Sequence, residues 1–258
     1  MKKMLSLVMA ITMCLSLAAC SGGTTSQGES SQSPAASTPA ASTPAASSSQ
    51  GASSTPADAE SDLAYVQDQG TLYVGITNFA PMDYKEAGSD EWIGFDADMA
   101  KAFAESLGVN VEFQEITWDY KVQELDSKTI DCVWNGMTIN DEVTAAMGVS
   151  EPYCTNYQTL VYPADRAADF EGLTSLEGLS IAVESGSAGE DAAEELGATT
   201  VPVQSQANTL MEVASGTSDA AVIDVLMAAE MTGEGTSYAN LSYSLNLNDA
   251  QGLESEEY

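Results

Sequence analysis

"LSIAVESGSAGEDAAEELGATTVPVQ", residues 179–204, sets the architecture of the chain. LSIAVESG is a short apolar run closed by Glu-Ser-Gly and reads as a buried strand. AGEDAAEELG is built largely from helix formers and ends at a glycine, a residue that stops a helix at little cost. TTVPVQ is extended again. Strand, helix and strand in close succession form a crossover unit. Repeated units imply a parallel sheet covered by helices on both faces.

The same alternation continues in both directions. Downstream, ANTLMEVASG reads as a helix, AAVID as a strand and VLMAAEMTG as a helix. Upstream, TLYVGIT (71–77) is a strand, DADMAKAFAESLG a helix, VNVEFQEI a strand, WDYKVQELDSK a helix and IDCVWNG a strand. In the first of these helices Met99, Phe103 and Leu107 recur every four residues, and Gly108 ends the pattern. Two βα series therefore appear, 71–148 and 179–233. SEPYCTNYQTLVYPADR between them is extended and lacks a helical period, as expected of a strand crossing from one lobe to another. Open α/β sheets hold ligands at the carboxyl ends of their strands, so two facing sheets would line a cleft from both sides.

Composition excludes several functions. The net charge is −32, and the cations after residue 60 are Lys85, Lys101, Lys121, Lys128 and Arg166. Such a surface repels nucleic acid and anionic lipid. With no histidine, a His-dependent triad is ruled out; without Cys-x-x-Cys, neither a zinc site nor a metal cofactor is expected. Cys132 and Cys154 could pair outside the cytoplasm, and the sequence leaves that open.

The N-terminus reads as an address. Lys2 and Lys3 precede an apolar run too short to span a bilayer, and it closes on Leu17-Ala18-Ala19-Cys20. This resembles the bacterial lipoprotein cleavage box, with 1–19 a signal peptide and Cys20 the lipidated residue; an ordinary secretory signal or a simple anchor are the alternatives. Residues 20–58, with PAAS repeated at Pro34, Pro39 and Pro44, are expected to be a disordered tether. As a flexible coil it would reach roughly 35 Å. The body would then stand at the outer face of the cell membrane, lobe 1 at 59–157, lobe 2 at 158–245, and 246–258 approaching a return crossing.

GFDADMAKAFAESLG, NGMTINDE followed by SEPY, SIAVESGSAGEDA and SDAAVID, in that order, resemble the motifs of the family 3 extracellular solute-binding proteins. Members feed polar amino acids to ABC importers. The resemblance implies a two-lobed α/β fold of the periplasmic-binding type II, no catalysis, an amino-acid ligand, an ABC permease as partner and a monomer. It also implies a ligand-driven hinge closure.

Site residues carry over by position. Phe79 and Trp118 match two aromatics that sandwich the ligand, and Gly136 and Thr138 match rim contacts. Gly186 and Ser187 match a helix-opening loop whose N–H groups attract a carboxylate. Asp224 matches the acceptor of the ligand's α-ammonium, a role compatible with capping the next helix. Glu184 falls where an acidic group would favour a cationic or amide-bearing side chain, or is a solvated surface residue.

Two departures stand out. Most amino-acid binders of the family clamp the ligand carboxylate with an arginine where this chain has Val143, and Arg166 is not placed to substitute. Either the Gly186–Ala188 amides and Thr138 hold that carboxylate, or the ligand is not a standard α-amino acid. Members also return to the first lobe with a further strand and helices, so ending at Tyr258 leaves that lobe expected to be incomplete. The alternative functions are a dehydratase-like enzyme using Glu184 or Asp224 as acid or base, and a ligand-sensing domain.

Overall fold

The structure is a computed structural model that describes residues 61–251 and 255–258; the expected signal peptide, Cys20 and tether lie outside those residues. Among the described residues no helix is long and apolar enough to cross a membrane.

Helix α1 (Asp62–Gln69) is started by the Ser61 hydroxyl, which accepts from Ala64 N at 3.1 Å, and ended by Gly70 at φ 75°. It feeds β1 (Thr71–Ile76), the middle strand of a three-stranded sheet with β4 (Asn110–Glu115) and β5 (Cys132–Val133), both parallel to it. A small hairpin of β2 (Tyr84–Lys85) and β3 (Trp92–Ile93) precedes α2 (Phe95–Leu107). The expected helix is present, but its buried face is Ala97, Ala100 and Ala104, packed near Leu72, Val74 and Ile76. Alanines let the helix axis approach the sheet closely. Met99 and Phe103 are left 40% and 44% exposed. They face a groove of about 670 Å³, where Phe103 meets the Trp134 ring edge-on at 5.7 Å. The period was legible and its phase was not.

The expected helix at 118–128 divides into a 3-10 turn at Trp118–Tyr120 and α3 (Lys121–Asp126). The strand expected over IDCVWNG shortens to β5, after which α4 (Asp141–Ala146) is capped by Asn140 Oδ1 accepting from Val143 N at 2.8 Å.

The chain then crosses through β6 (Thr155–Asn156) into β7 (Gln158–Pro163) and α5 (Ala167–Phe170). It continues through β8 (Ser180–Glu184), α6 (Ala188–Glu195), β9 (Thr199–Val203), α7 (Gln206–Ser215), β10 (Ala220–Asp224), α8 (Val225–Met231), β11 (Leu241–Asn246) and α9 (Leu247–Gln251). These strands form a five-stranded sheet in the order β11-β7-β10-β8-β9. The parallel expectation holds for β8 with β9 and β10, whereas β7 runs antiparallel to β10 and β11. Because β7 enters directly from the crossing, no crossover helix dictates its direction. Both faces of the sheet are covered, one core gathering Leu160, Ile181, Val183 and Val222, the other Val161, Ala182, Leu210 and Ile223. Finally β12 (Glu256–Glu257) pairs antiparallel with β6, setting a second crossing strand beside the first.

Behind β1, two carboxyls are wholly buried. Neither oxygen of Asp83 has a hydrogen-bond partner, and burial, reinforced by the charge of Asp96, raises its pKa to about 9. Burial raises Asp96 to about 6, opposed by Tyr153 OH at 3.1 Å and Gly136 N at 2.7 Å, which both donate to it. A carboxyl with a raised folded-state pKa gives stability that is complete below the unfolded value and lost as pH climbs through the folded one. For Asp83 that window runs from 3.8 to about 9. Asp83→Asn imitates the protonated acid, so it should raise Tm at pH 8 by roughly 4–8 °C (about 2 kcal/mol) and leave Tm at pH 4 nearly unchanged. Thermal melts at the two pH values check this; equal shifts would remove the titration argument.

Candidate functional site

The carboxyl ends of the two sheets face one another across a cleft. From the five-stranded sheet come Glu184, the last residue of β8, and Asp224, the last of β10. From the other side come Trp118 and Lys121, which follow β4, and Gly136 and Thr138, which follow β5. Val143 of α4 completes an apolar corner and is 6% exposed. The cavity is about 50 Å³, room for a few waters, and is partly open to solvent.

Asp224 accepts from four side chains. Asn156 Nδ2, Gln158 Nε2 (2.9 Å) and Tyr258 OH (2.6 Å) donate to Oδ1, and Gln206 Nε2 donates to Oδ2. Burial still raises its pKa to about 6, the donors pulling the other way. Asp224 occupies the N-cap position of α8 without capping it through its side chain, because that side chain is committed to these partners.

Glu184 is 2% exposed, which removes the solvated-surface alternative. Burial raises its pKa to about 8, with the charge of Asp224 adding and Lys121 and Gln206 opposing. Its Oε1 and the neighbouring Gln158 Oε1 are buried acceptors with no donor.

Gly186 and Ser187 form the turn between β8 and α6. Gly186 sits at φ 72°, and a Cβ there would come within 2.9 Å of the Asp119 Cα across the cleft. Its N–H is not free for a ligand, since it donates to Glu190 Oε2 at 2.7 Å. The Ser187 hydroxyl accepts from Glu190 N at 3.2 Å. Thr138 Oγ1 donates to Glu256 Oε2 at 3.0 Å, and Gly136 N is the one bonded to Asp96. Three of the donors expected to meet a ligand thus already meet carboxylates of the chain.

The expected aromatic sandwich does not form. Trp118 lines the cleft, but Phe79 is 1% exposed and outside the lining. Its ring lies against Gly136, where a Cβ would be 2.7 Å from Cε1, and meets Tyr258 edge-on at 6.4 Å. The tight Phe79–Asp83 turn points the ring inward, so Phe79 supports the rim from behind.

Sequence reasoning missed Lys121, Asn156, Gln158, Gln206 and Glu256. Asn156 and Gln158 carried a weak signal, two amides at strand spacing inside the crossing segment. Lys121 lies three residues after Trp118 and holds its Nζ 4.9 Å over that ring. Glu256 is legible only once β12 is seen beside β6: Gln158 Nε2 (2.9 Å), Asn156 Nδ2 (3.3 Å) and Asn248 Nδ2 (3.2 Å) donate to it besides Thr138. Arg166 is held by Asp169 and Asp219, outside the cleft. Cys132 and Cys154 are free thiols. Among the described residues no group of three or more Cys, Asp or Glu is placed to hold a metal.

Two α/β sheets joined by paired crossing strands, with the ionisable groups gathered where the strand ends face each other, define a two-lobed solute-binding protein of the periplasmic type. The chain belongs to the bacterial extracellular solute-binding proteins, family 3, whose pattern matches residues 72–212. It is 30% identical over 155 residues to the arginine-binding extracellular protein ArtP of Bacillus subtilis (strain 168), covering 58% of this chain and 59% of that one. It is 35% identical over 94 residues to the L-cystine-binding protein TcyJ of Escherichia coli (strain K12), covering 36% and 35%. The match therefore spans well under two thirds of either relative. The solved structure of holo ArgBP from T. maritima superposes with a TM-score of 0.65 at 27% identity, covering 75% of this chain and 83% of that one.

Gly186→Ala should hold the walls apart, because the new methyl group is strained at positive φ and collides with Asp119. Trp118, 6% exposed, would lose cover. The expected result is a red shift of tryptophan emission with an unchanged far-UV circular dichroism spectrum. Unaltered emission would mean that the Gly186–Asp119 contact does not set the width of the cleft.

Proposed function

We propose that the protein captures a polar amino acid, with a cationic or amide-bearing side chain, and delivers it to an ABC permease. On this reading it is a monomeric lipoprotein held at the outer face of the membrane through Cys20. Lobe 1 (59–157) and lobe 2 (158–245) close on the ligand, and 246–258 leads back toward lobe 1. Trp118, Thr138, Glu184, Ser187 and Asp224 face the ligand, while Phe79, Gly136 and Gly186 shape the walls.

One observation carries the reading: Glu184 Oε1 is a buried acceptor without a donor, at the carboxyl end of a strand, in the wall of the cleft. A buried acceptor left unpaired is costly, and a ligand ammonium, guanidinium or amide N–H would relieve it. The arginine-binding name of one relative fits a ligand of this class.

The test is a thermal-shift screen of the full chain against the twenty amino acids. A ligand present at 100 times its Kd should add about 2.7 kcal/mol, hence roughly 5–10 °C in Tm. With Glu184 at about 8, the cation of a ligand expels its proton, so affinity for a cationic amino acid should rise between pH 6 and 8 and then level off. Glu184→Gln should flatten that rise and weaken a cationic ligand about tenfold or more, while sparing an amide-bearing one. A screen in which no amino acid moves Tm ends the amino-acid reading.

A further inference from the structure

We infer that Lys121 is the carboxylate clamp of this cleft, taking over from α3 the task for which Val143 on α4 has no charge. The inference rests on the amino-acid reading above.

Among the described residues Lys121 is the only cation in the wall of the cavity, whose acids include Glu142, Glu184, Asp191 and Asp224. An entering carboxylate would meet repulsion from those that are ionised unless a positive group received it. The ammonium is held in position by uncharged partners. It lies 4.9 Å over the Trp118 ring and donates to the Gly186 carbonyl oxygen at 2.9 Å. None of the ion pairs among the described residues uses it. Its charge is balanced only at a distance by Glu142, Asp119, Glu184 and Asp191, and burial, the larger influence, lowers its pKa. A partly buried cation over a cleft, without a carboxylate of its own, is arranged to accept one.

Most of the rival holders are occupied, Ser187 N among them by the Glu184 carbonyl oxygen at 3.2 Å. Gly186 N is taken by Glu190, Thr138 Oγ1 by Glu256 and Gly136 N by Asp96. Val143 lines the same cavity as Lys121 and offers only methyl groups there. The same cavity holds the acceptor for a cation, Glu184, whose titration Lys121 already influences. A zwitterion laid between them has each end matched: carboxylate to Lys121, ammonium or side-chain donor to Glu184.

The experiment compares each of the twenty protein amino acids with its methyl ester on the full chain, by calorimetric titration. It is run for the wild type, Lys121→Leu, Lys121→Gln and Lys121→Arg. Expected is a wild type that prefers at least one free acid over its ester by tenfold or more. Both neutral variants should lose about 30-fold in affinity for that acid and little for the ester, erasing the preference, whereas Lys121→Arg retains it. A purely structural role for the Lys121–Gly186 bond would instead weaken acid and ester equally, which overturns the inference. So would a wild type indifferent to esterification, or a neutral variant that still prefers the acid; in each case amino-acid capture itself stands. If no amino acid binds the wild type, the capture reading and the clamp fall together. Should Lys121→Leu fail to give a cooperative melt, Lys121→Gln decides.

Discussion

The buried carboxylate of Asp224 is the constraint on which the rest of the structure depends. A carboxylate removed from water costs several kcal/mol unless hydrogen bonds replace its hydration. The replacements come from every part of the chain that must meet at the cleft. Asn156 and Gln158 arrive on the outward crossing, Tyr258 follows β12 on the second crossing strand, and Gln206 begins α7. Moving any of these segments away leaves an acceptor or a donor unpaired in a dry place. The two crossing strands are thus registered by polar accounting at one residue as well as by their short ladder.

Glu256 repeats the device beside it. It gathers donors from β6, β7, α9 and the loop after β5, linking groups far apart in sequence through a single carboxylate. The amides of Asn156 and Gln158 serve both acids, so the two networks are coupled, and a change at one should be felt at the other. This coupling explains how so acidic a chain keeps carboxylates in its middle: each is either surrounded by donors or, like Asp83 and Glu184, pushed toward its protonated form.

The order of elements was legible because strand and helix periods survive in short runs: β8, α6, β9, α7, β10 and α8 fall where the apolar spacing puts them. What spacing cannot carry is phase. Met99 and Phe103 make a convincing helical stripe, yet the alanine face is the one against the sheet, because closeness of approach outweighs side-chain size there. The direction of β7 was hidden for a related reason, since nothing local to that strand records which neighbour it will meet. At the site, the positions of Trp118, Thr138, Glu184, Ser187 and Asp224 could be carried over by resemblance, and all of them line the cleft. Phe79 also matched by position but turned inward, its ring closed off by Tyr258, a residue some 180 places away whose approach no local pattern foretells.

The cavity's small volume bears on how such a cleft works. The walls are in contact at Gly186, which lies against Asp119 and accepts from Lys121 Nζ through its carbonyl oxygen. Neither contact satisfies the polar groups inside, because Glu184 keeps an unpaired oxygen and Lys121 no ion partner among the described residues while the walls touch. A closed state that leaves the Glu184 oxygen and the Lys121 ammonium unmatched is held weakly, and a zwitterion that matches both adds its binding energy to closure alone. The ligand can shift the balance between open and closed forms only by that difference. Leaving Glu184 and Lys121 incomplete is therefore what makes the cleft responsive: a site fully satisfied by its own side chains would close just as well with nothing in it.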